Sequence, residues 1–160
     1  MAIAGATAAA LGGFVARIAF RHAPPEKTAE ITGWINRFDD IRRRLLDLVT
    51  EDADACAAAL RGSRPENNSP PSRPDILAPP FEIAGCGVAV LELCYRLFPC
   101  HYPPTRADLA VAAELARACA EGALRIVVES LPEGSHSERL EALRRDTEDL
   151  SRKIEKQMRS

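Results

Sequence analysis

An excess of charge of either sign is missing from this chain. Lys plus Arg is 21 and Asp plus Glu is 23, a formal net charge of −2 over 160 residues. Affinity for phosphate is carried by surplus cationic charge, so the balance argues against a generic binder of nucleic acid or of an anionic membrane surface. The five cysteines (Cys56, Cys86, Cys94, Cys100 and Cys119) are odd in number and contain no CxxC pair. That spacing suits neither a disulfide framework nor a zinc site; the expectation is reduced thiols, no metal and a cytoplasmic protein. No basic stretch precedes the apolar start, as a secretory signal would require. Arg17 interrupts the Met1 to Phe20 run, which argues against a membrane span. No P-loop, strand-borne GxGxxG, HExxH or GxSxG occurs. Aromatics are only 5% of the chain. The apolar content is therefore mostly Ala, Leu, Val and Ile. Alanine is a strong helix former and a poor strand former, and no strand-like alternation appears, so the chain reads as all-α.

What is present is helical periodicity punctuated by proline, in one domain over residues 1–160. A first helix over about Ala2 to His22 is rich in Ala and Gly and apolar on all sides, which predicts burial on all sides. Ala23-Pro24-Pro25 ends it. A second helix from near Thr28 to about Leu60 carries Ile31, Trp34, Ile35, Phe38, Ile41, Leu45, Leu48 and Val49 at helical spacing. The Arg42-Arg43-Arg44 run reads as a solvated face with acidic neighbours. Gly62 to Pro80 holds half of the 12 prolines and reads as a surface loop. A third helix covers about Phe81 to Phe98, and a fourth runs from Thr105 to about Leu131. Thr105-Arg-Ala-Asp108 has a form related to a capping box. A fifth, from Ser135 or Ser137 towards the C-terminus, places Leu140, Leu143, Leu150, Ile154 and Met158 on one stripe. The expectation is a bundle of about five helices. Helices one and four are apolar on more faces than a bundle of this size can cover, which predicts a homodimer.

Few residues offer chemistry. His22, His101 and His136 fall in or beside loops and read as surface histidines. Asp52 and Asp54 stand in an Ala-rich helical stretch. Ionised carboxylates are rarely buried unpaired, so these mark either a helix rim or a partly desolvated site carboxylate. Asp108 reads equally well as the cap residue of helix four. Arg17, the lone charge of helix one, either extends its stem outward or is aimed at an anion.

Taken in order, several segments resemble the formiminotetrahydrofolate cyclodeaminase and methenyltetrahydrofolate cyclohydrolase family. Ala2-Ile-Ala-Gly-Ala6 with Phe14-Val-Ala-Arg-Ile18 resembles that family's first Ala/Gly-rich helix. Leu48-Val-Thr-Glu-Asp-Ala-Asp-Ala-Cys56 resembles its Asp-x-Asp-Ala segment, and Pro80-Phe-Glu-Ile-Ala84 its Val-Pro-Leu-x-Leu-Ala. Asp108-Leu-Ala-Val-Ala-Ala113 with Gly122-Ala123 resembles its Ser-Asp-x-x-Val-Ala-Ala and following Gly-Ala. The resemblance implies an all-α dimer acting on the N5,N10 bridge of a tetrahydrofolate. The reaction is either expulsion of ammonia from the formimino form or addition of water to the methenyl form. Both need proton transfer at a tetrahedral carbon, which a positioned carboxylate serves. The matching positions are Asp52 and Asp108 as catalytic groups. Arg17, taken from the reading of helix one, would be the substrate-binding residue, with the folate as small-molecule partner and no resident cofactor.

The chain departs from the pattern in several places. Thr50 replaces the first Asp of the Asp-x-Asp pair, Tyr102 and Ala107 replace an Asn and a Ser, and Ile126 and Ser130 replace two later Asn. A Gly-rich entry loop would be expected ahead of Ala2. These departures leave a second reading open: a catalytically inactive relative kept as a helical dimer or binding module.

Overall fold

Ala23 sets the first boundary of the computed structural model, which describes residues 1–62, 76–131 and 137–159, with backbone alone for 60–62. Its backbone is extended (φ −76°, ψ 145°), because the Cδ of Pro24 disfavours the α region in the residue before it. Helix α1, Ala2–His22, stops there. Helix α2, Pro25–Gly62, then runs for 38 residues. It begins three residues before the expected Thr28, since a proline at the first helical position has its φ preset and lacks only an N–H that would have no partner. The same physics moves the start of α3, Ala78–Leu97, ahead of the expected Phe81: Pro79 and Pro80 sit in its first turn, both buried. Residues 63–75 of the expected proline-rich loop lie outside the described residues.

Two 3-10 turns, Phe98–Cys100 and Pro103–Thr105, lead into α4, Arg106–Ser130. Thr105 holds the N-cap position, but its hydroxyl donates back to the Tyr102 carbonyl (2.7 Å) instead of capping the helix. The capping-box expectation is thus corrected. Asp108 lies inside the first turn, where its charge complements the helix dipole, and it is not the cap. Leu131, again extended before a proline, ends α4. Ser137 rather than Ser135 starts α5, Glu138–Arg159: its Oγ accepts the Leu140 N–H at 3.3 Å. Leu140, Thr147 and Ile154 form the buried stripe of α5, whereas Met158 is exposed.

The described residues contain no strand; the chain is an all-α bundle of these five helices. Helix α1 packs against α2, α4 and α3, while α5 lies outside on α3 and α4. Its small residues let the neighbours in close. A methyl added at Gly5 would lie 2.6 Å from the Cys119 sulfur and 3.0 Å from Leu45, and one added at Gly12 would lie 2.5 Å from the Phe38 ring. Gly5 beside Leu45 and Gly12 beside Phe38 make α1 and α2 antiparallel. Gly5 beside Cys119, with Met1 beside Gly122, makes α1 and α4 antiparallel as well. Helices α2 and α4 therefore run in the same direction. Phe38, Ile31, Leu45 and Leu48 are fully buried, each stabilising the bundle by roughly 1.5–3 kcal/mol through the hydrophobic effect.

The expectation that α1 is buried on all sides is corrected. Ile3 (64% exposed), Phe14 (50%) and Phe20 (40%) remain open to solvent. Three helices surround α1 and leave its fourth side uncovered.

Candidate functional site

The three residues singled out from sequence occupy two different ends of the bundle. Leu45, Gly5 and Cys119 share one level. Asp52 stands seven residues beyond Leu45 on α2, about 10 Å along the axis at 1.5 Å per residue. Asp108 stands eleven residues before Cys119 on the parallel helix α4, about 16 Å in the opposite direction. Within one chain the two carboxylates are thus about 27 Å apart along the bundle, and they do not meet across it. Arg17, twelve residues beyond Gly5 on α1, is about 18 Å towards the Asp108 end.

Each has its own surroundings. Asp52 is half-buried, and so is Asp108, while Asp54 is exposed. Neither the Asp52 nor the Asp108 carboxylate makes a hydrogen bond or ion pair among the described residues. Arg17 is not free: its guanidinium donates to Asp39 at 2.5 Å, with the two side chains 47% and 33% exposed. The pairing follows from the antiparallel register that sets Gly12 against Phe38: the Arg17 guanidinium lies back along α1 beside Gly13, next to Phe38, and so reaches Asp39. The sequence reading missed Asp39. The one signal for it was its place on α2, the helix that follows α1, within reach of a long side chain.

A second polar cluster lies beside the Asp52 end. Arg44 reaches across to α3, donating to Glu82 through Nε and Nη2 at 2.6 and 2.7 Å and to Glu51 through Nη1 and Nη2 at 2.5 and 2.9 Å. These bonds hold the Glu82 and Glu51 carboxyls below the ordinary carboxylate range and push the guanidinium further up. The arginine run is therefore not one solvated face: Arg43 pairs with Asp40 on the same helix, whereas Arg44 ties α2 to α3. No group of three or more His, Cys, Asp or Glu side chains that could hold a metal ion occurs among the described residues.

The cysteines stand unpaired. Cys94 and Cys119 are buried, Cys86 and Cys100 are half-buried, and Cys56 is exposed. Burial pushes the Cys94 thiol up to about 12 and the Cys119 thiol to about 11. Such thiols stay protonated and unreactive at neutral pH.

Two larger grooves flank α5. One of about 530 Å³ runs between α4 and α5 past Glu121, Arg125, Val128 and Arg144. The other, of about 500 Å³, runs between α3 and α5 past Glu92, Tyr95, Asp149 and Lys153. Neither is lined by Asp52, Asp108 or Arg17. Helix α1 and residues 78–100 are long and apolar enough to cross a bilayer, and half of each apolar window is buried inside the bundle.

A sequence model of the formiminotransferase-cyclodeaminase family matches residues 1–149. The chain belongs to that family. The match spans α1 to α4 and the first half of α5, so both Asp52 and Asp108 lie within it. Among solved structures, the formiminotetrahydrofolate cyclodeaminase of Thermotoga maritima is similar, with a TM-score of 0.73 and 15% identity, over 99% of this chain and 81% of that one. At that identity the likeness is one of fold, and it extends through all of α5. No curated protein sequence matches the chain.

Proposed function

We propose that this member of the formiminotransferase-cyclodeaminase family is a cytoplasmic homodimer that acts on the N5,N10 bridge of a tetrahydrofolate, with Asp52 and Asp108 as its proton-transfer groups. The observation that carries this reading is the placement of the two carboxylates about an uncovered apolar stripe. Their axial midpoint falls within about 3 Å of Gly5, at the level of Thr7. Thr7 is at the middle of the exposed stripe Ile3, Thr7, Ala10 and Phe14 on α1. Leu46 on α2 (48% exposed) and Val111 on α4 (51%) are exposed as well, on the two helices that flank α1. A two-fold axis through that stripe, perpendicular to the bundle, makes an isologous contact. It reverses the bundle direction and brings Asp52 of one chain to the level of Asp108 of its partner. Exposed apolar surface of this kind marks an association site. Unpaired thiols, including the exposed Cys56, suit a reducing compartment.

The chemistry then asks little of the protein. In the hydrolytic direction a carboxylate takes a proton from water as its oxygen bonds to the methenyl carbon. The same proton is returned to a nitrogen as its bond to that carbon breaks, and the added hydroxyl releases its own proton to solvent as it becomes the formyl carbonyl. In the deaminating direction N10 gives up its proton as it bonds to the formimino carbon, and the exocyclic nitrogen is protonated as its bond to that carbon breaks and it leaves as ammonia. A half-buried carboxylate with no partner among the described residues suits either task.

Two observations favour the second reading, an inactive helical dimer: Arg17 is already neutralised by Asp39, and neither of the two grooves beside α5 is lined by Asp52 or Asp108. Loss of the methenyl absorbance of 5,10-methenyltetrahydrofolate on purified protein separates the two. Turnover is expected, and Asp52→Asn and Asp108→Asn should each cut it about 10²-fold or more while the fold is kept. Refolding the two variants together should restore about a quarter of wild-type activity, since half of the isologous dimers then hold one intact site. A dimer that neither consumes 5,10-methenyltetrahydrofolate nor forms it from 5-formiminotetrahydrofolate establishes the inactive reading. Turnover without restoration removes the shared site.

A further inference from the structure

At the Asp108 end of the bundle, two rings lie flat against each other. His22, the last residue of α1, and Tyr102, in the connection before α4, stack with centroids 4.1 Å apart and planes 10° apart. The pair is not core filling: Tyr102 is 38% exposed and His22 is exposed too. Tyr102 makes no second ring contact among the described residues, so its other face carries no ring.

The connection that presents this face is held from several sides. The Tyr102 carbonyl accepts both the Thr105 N–H (2.8 Å) and the Thr105 hydroxyl (2.7 Å). Pro103 and Pro104 fix φ through the following 3-10 turn, and Thr105 is buried. On the other side, the His101 ring bonds the Phe98 carbonyl, and Phe98 is anchored in the core. A ring so held loses little freedom when a ligand lands on it, which raises affinity without any new contact. Nearby cations are mostly engaged. Arg17 is on Asp39, Lys27 donates to the Cys100 sulfur, and Arg106 donates to the Gln157 and Met158 carbonyls at the end of α5. Arg21, next to His22 on the last turn of α1, is exposed and makes no ion pair or hydrogen bond among the described residues.

We propose that the face of Tyr102 turned away from His22 is a stacking plate for a planar nitrogen heteroaromatic ring of the pterin type, with Arg21 receiving the carboxylate tail of the ligand. The assignment rests on the folate reading above and places the ring-binding end of that site six residues from Asp108. Every planar heteroaromatic has a π face, so stacking supplies affinity while charge at the tail supplies orientation.

The test is binding of pterin, folic acid and p-aminobenzoylglutamate to the full chain, followed by quenching of pterin fluorescence and by calorimetry. Tyr102→Ala should weaken pterin and folic acid about tenfold, and Tyr102→Phe should bind them as the wild type does. Neither change should alter binding of p-aminobenzoylglutamate, which has no pterin ring, whereas Arg21→Ala should weaken it. Circular dichroism of each variant confirms that the helices are kept. Pterin affinity lost in Tyr102→Ala, in a protein without turnover, upholds the plate and removes the enzymatic reading. Turnover together with unchanged pterin affinity in Tyr102→Ala keeps the enzymatic reading and overturns the plate. Wild-type protein that binds no pterin overturns it as well.

Discussion

Gly85 and Gly87 stand two residues apart on α3, and an added methyl should have opposite effects at the two. At Gly87 the new Cβ would lie 2.9 Å from the Ala120 backbone nitrogen, 3.0 Å from the Ala116 carbonyl oxygen and 3.0 Å from the Ala120 Cβ. These atoms belong to the α4 backbone and its stub side chain, so none can swing aside; α3 and α4 must separate. Overpacking of this kind costs typically about 1–3 kcal/mol. Replacing a helical glycine by alanine returns about 0.8–1.0 kcal/mol of propensity. Gly87→Ala is therefore expected to destabilise the bundle by up to about 2 kcal/mol. At Gly85 nothing lies within 4 Å, so Gly85→Ala keeps the propensity gain and should stabilise by up to about 1 kcal/mol. The propensity gain is common to both, so the expected gap is the overpacking cost, about 1–3 kcal/mol, or roughly 2–12 °C in Tm for a domain of this size. Urea unfolding followed by far-UV circular dichroism measures it, at one fixed protein concentration because association adds to stability. Equal stability of the two variants would refute the close α3–α4 approach, and with it the argument that small residues set the helix spacing here.

A thiol reagent at pH 8 should modify Cys56 first and Cys100 next, with Cys94 and Cys119 reacting only on unfolding, because burial holds their thiols up at about 12 and 11; labelling followed by peptide mass spectrometry reads the order. Glu82→Gln should lower stability at neutral pH by less than about 1 kcal/mol, since the pair with Arg44 is partly exposed and screened. Its carboxyl lies below the ordinary value of 4.5 in the folded chain. The contribution is therefore complete above that value and is lost as pH falls through the lower folded one, so wild type and variant should converge in acid and differ above it. Arg17→Ala should cost no more than about 1 kcal/mol at low salt and less at high salt, because the Arg17 and Asp39 side chains are 47% and 33% exposed; a loss above about 2 kcal/mol in denaturant titrations would show that this ion pair holds α1 to α2.

The helices themselves were legible in the sequence because their signals are local. Ala23 before Pro24 and Leu131 before Pro132 end α1 and α4 by a clash between neighbouring residues. The 3.6-residue recurrence of Ile31, Phe38, Leu45 and Leu48 defines the inner face of α2 without reference to any other helix. The helix starts were displaced where proline acts as an initiator rather than a breaker, at Pro25 and at Pro79-Pro80. Direction and register are different in kind. Whether Asp52 and Asp108 meet depends on α2 and α4 running parallel on either side of an antiparallel α1, and that is decided by Gly5 fitting between Leu45 and Cys119. The Arg17–Asp39 pair, the Arg44 tie to Glu82 and the His22–Tyr102 stack join residues 22, 38 and 80 positions apart. Periodicity shows which face of a helix turns inward. Only the packing of one helix on the next decides what that face meets.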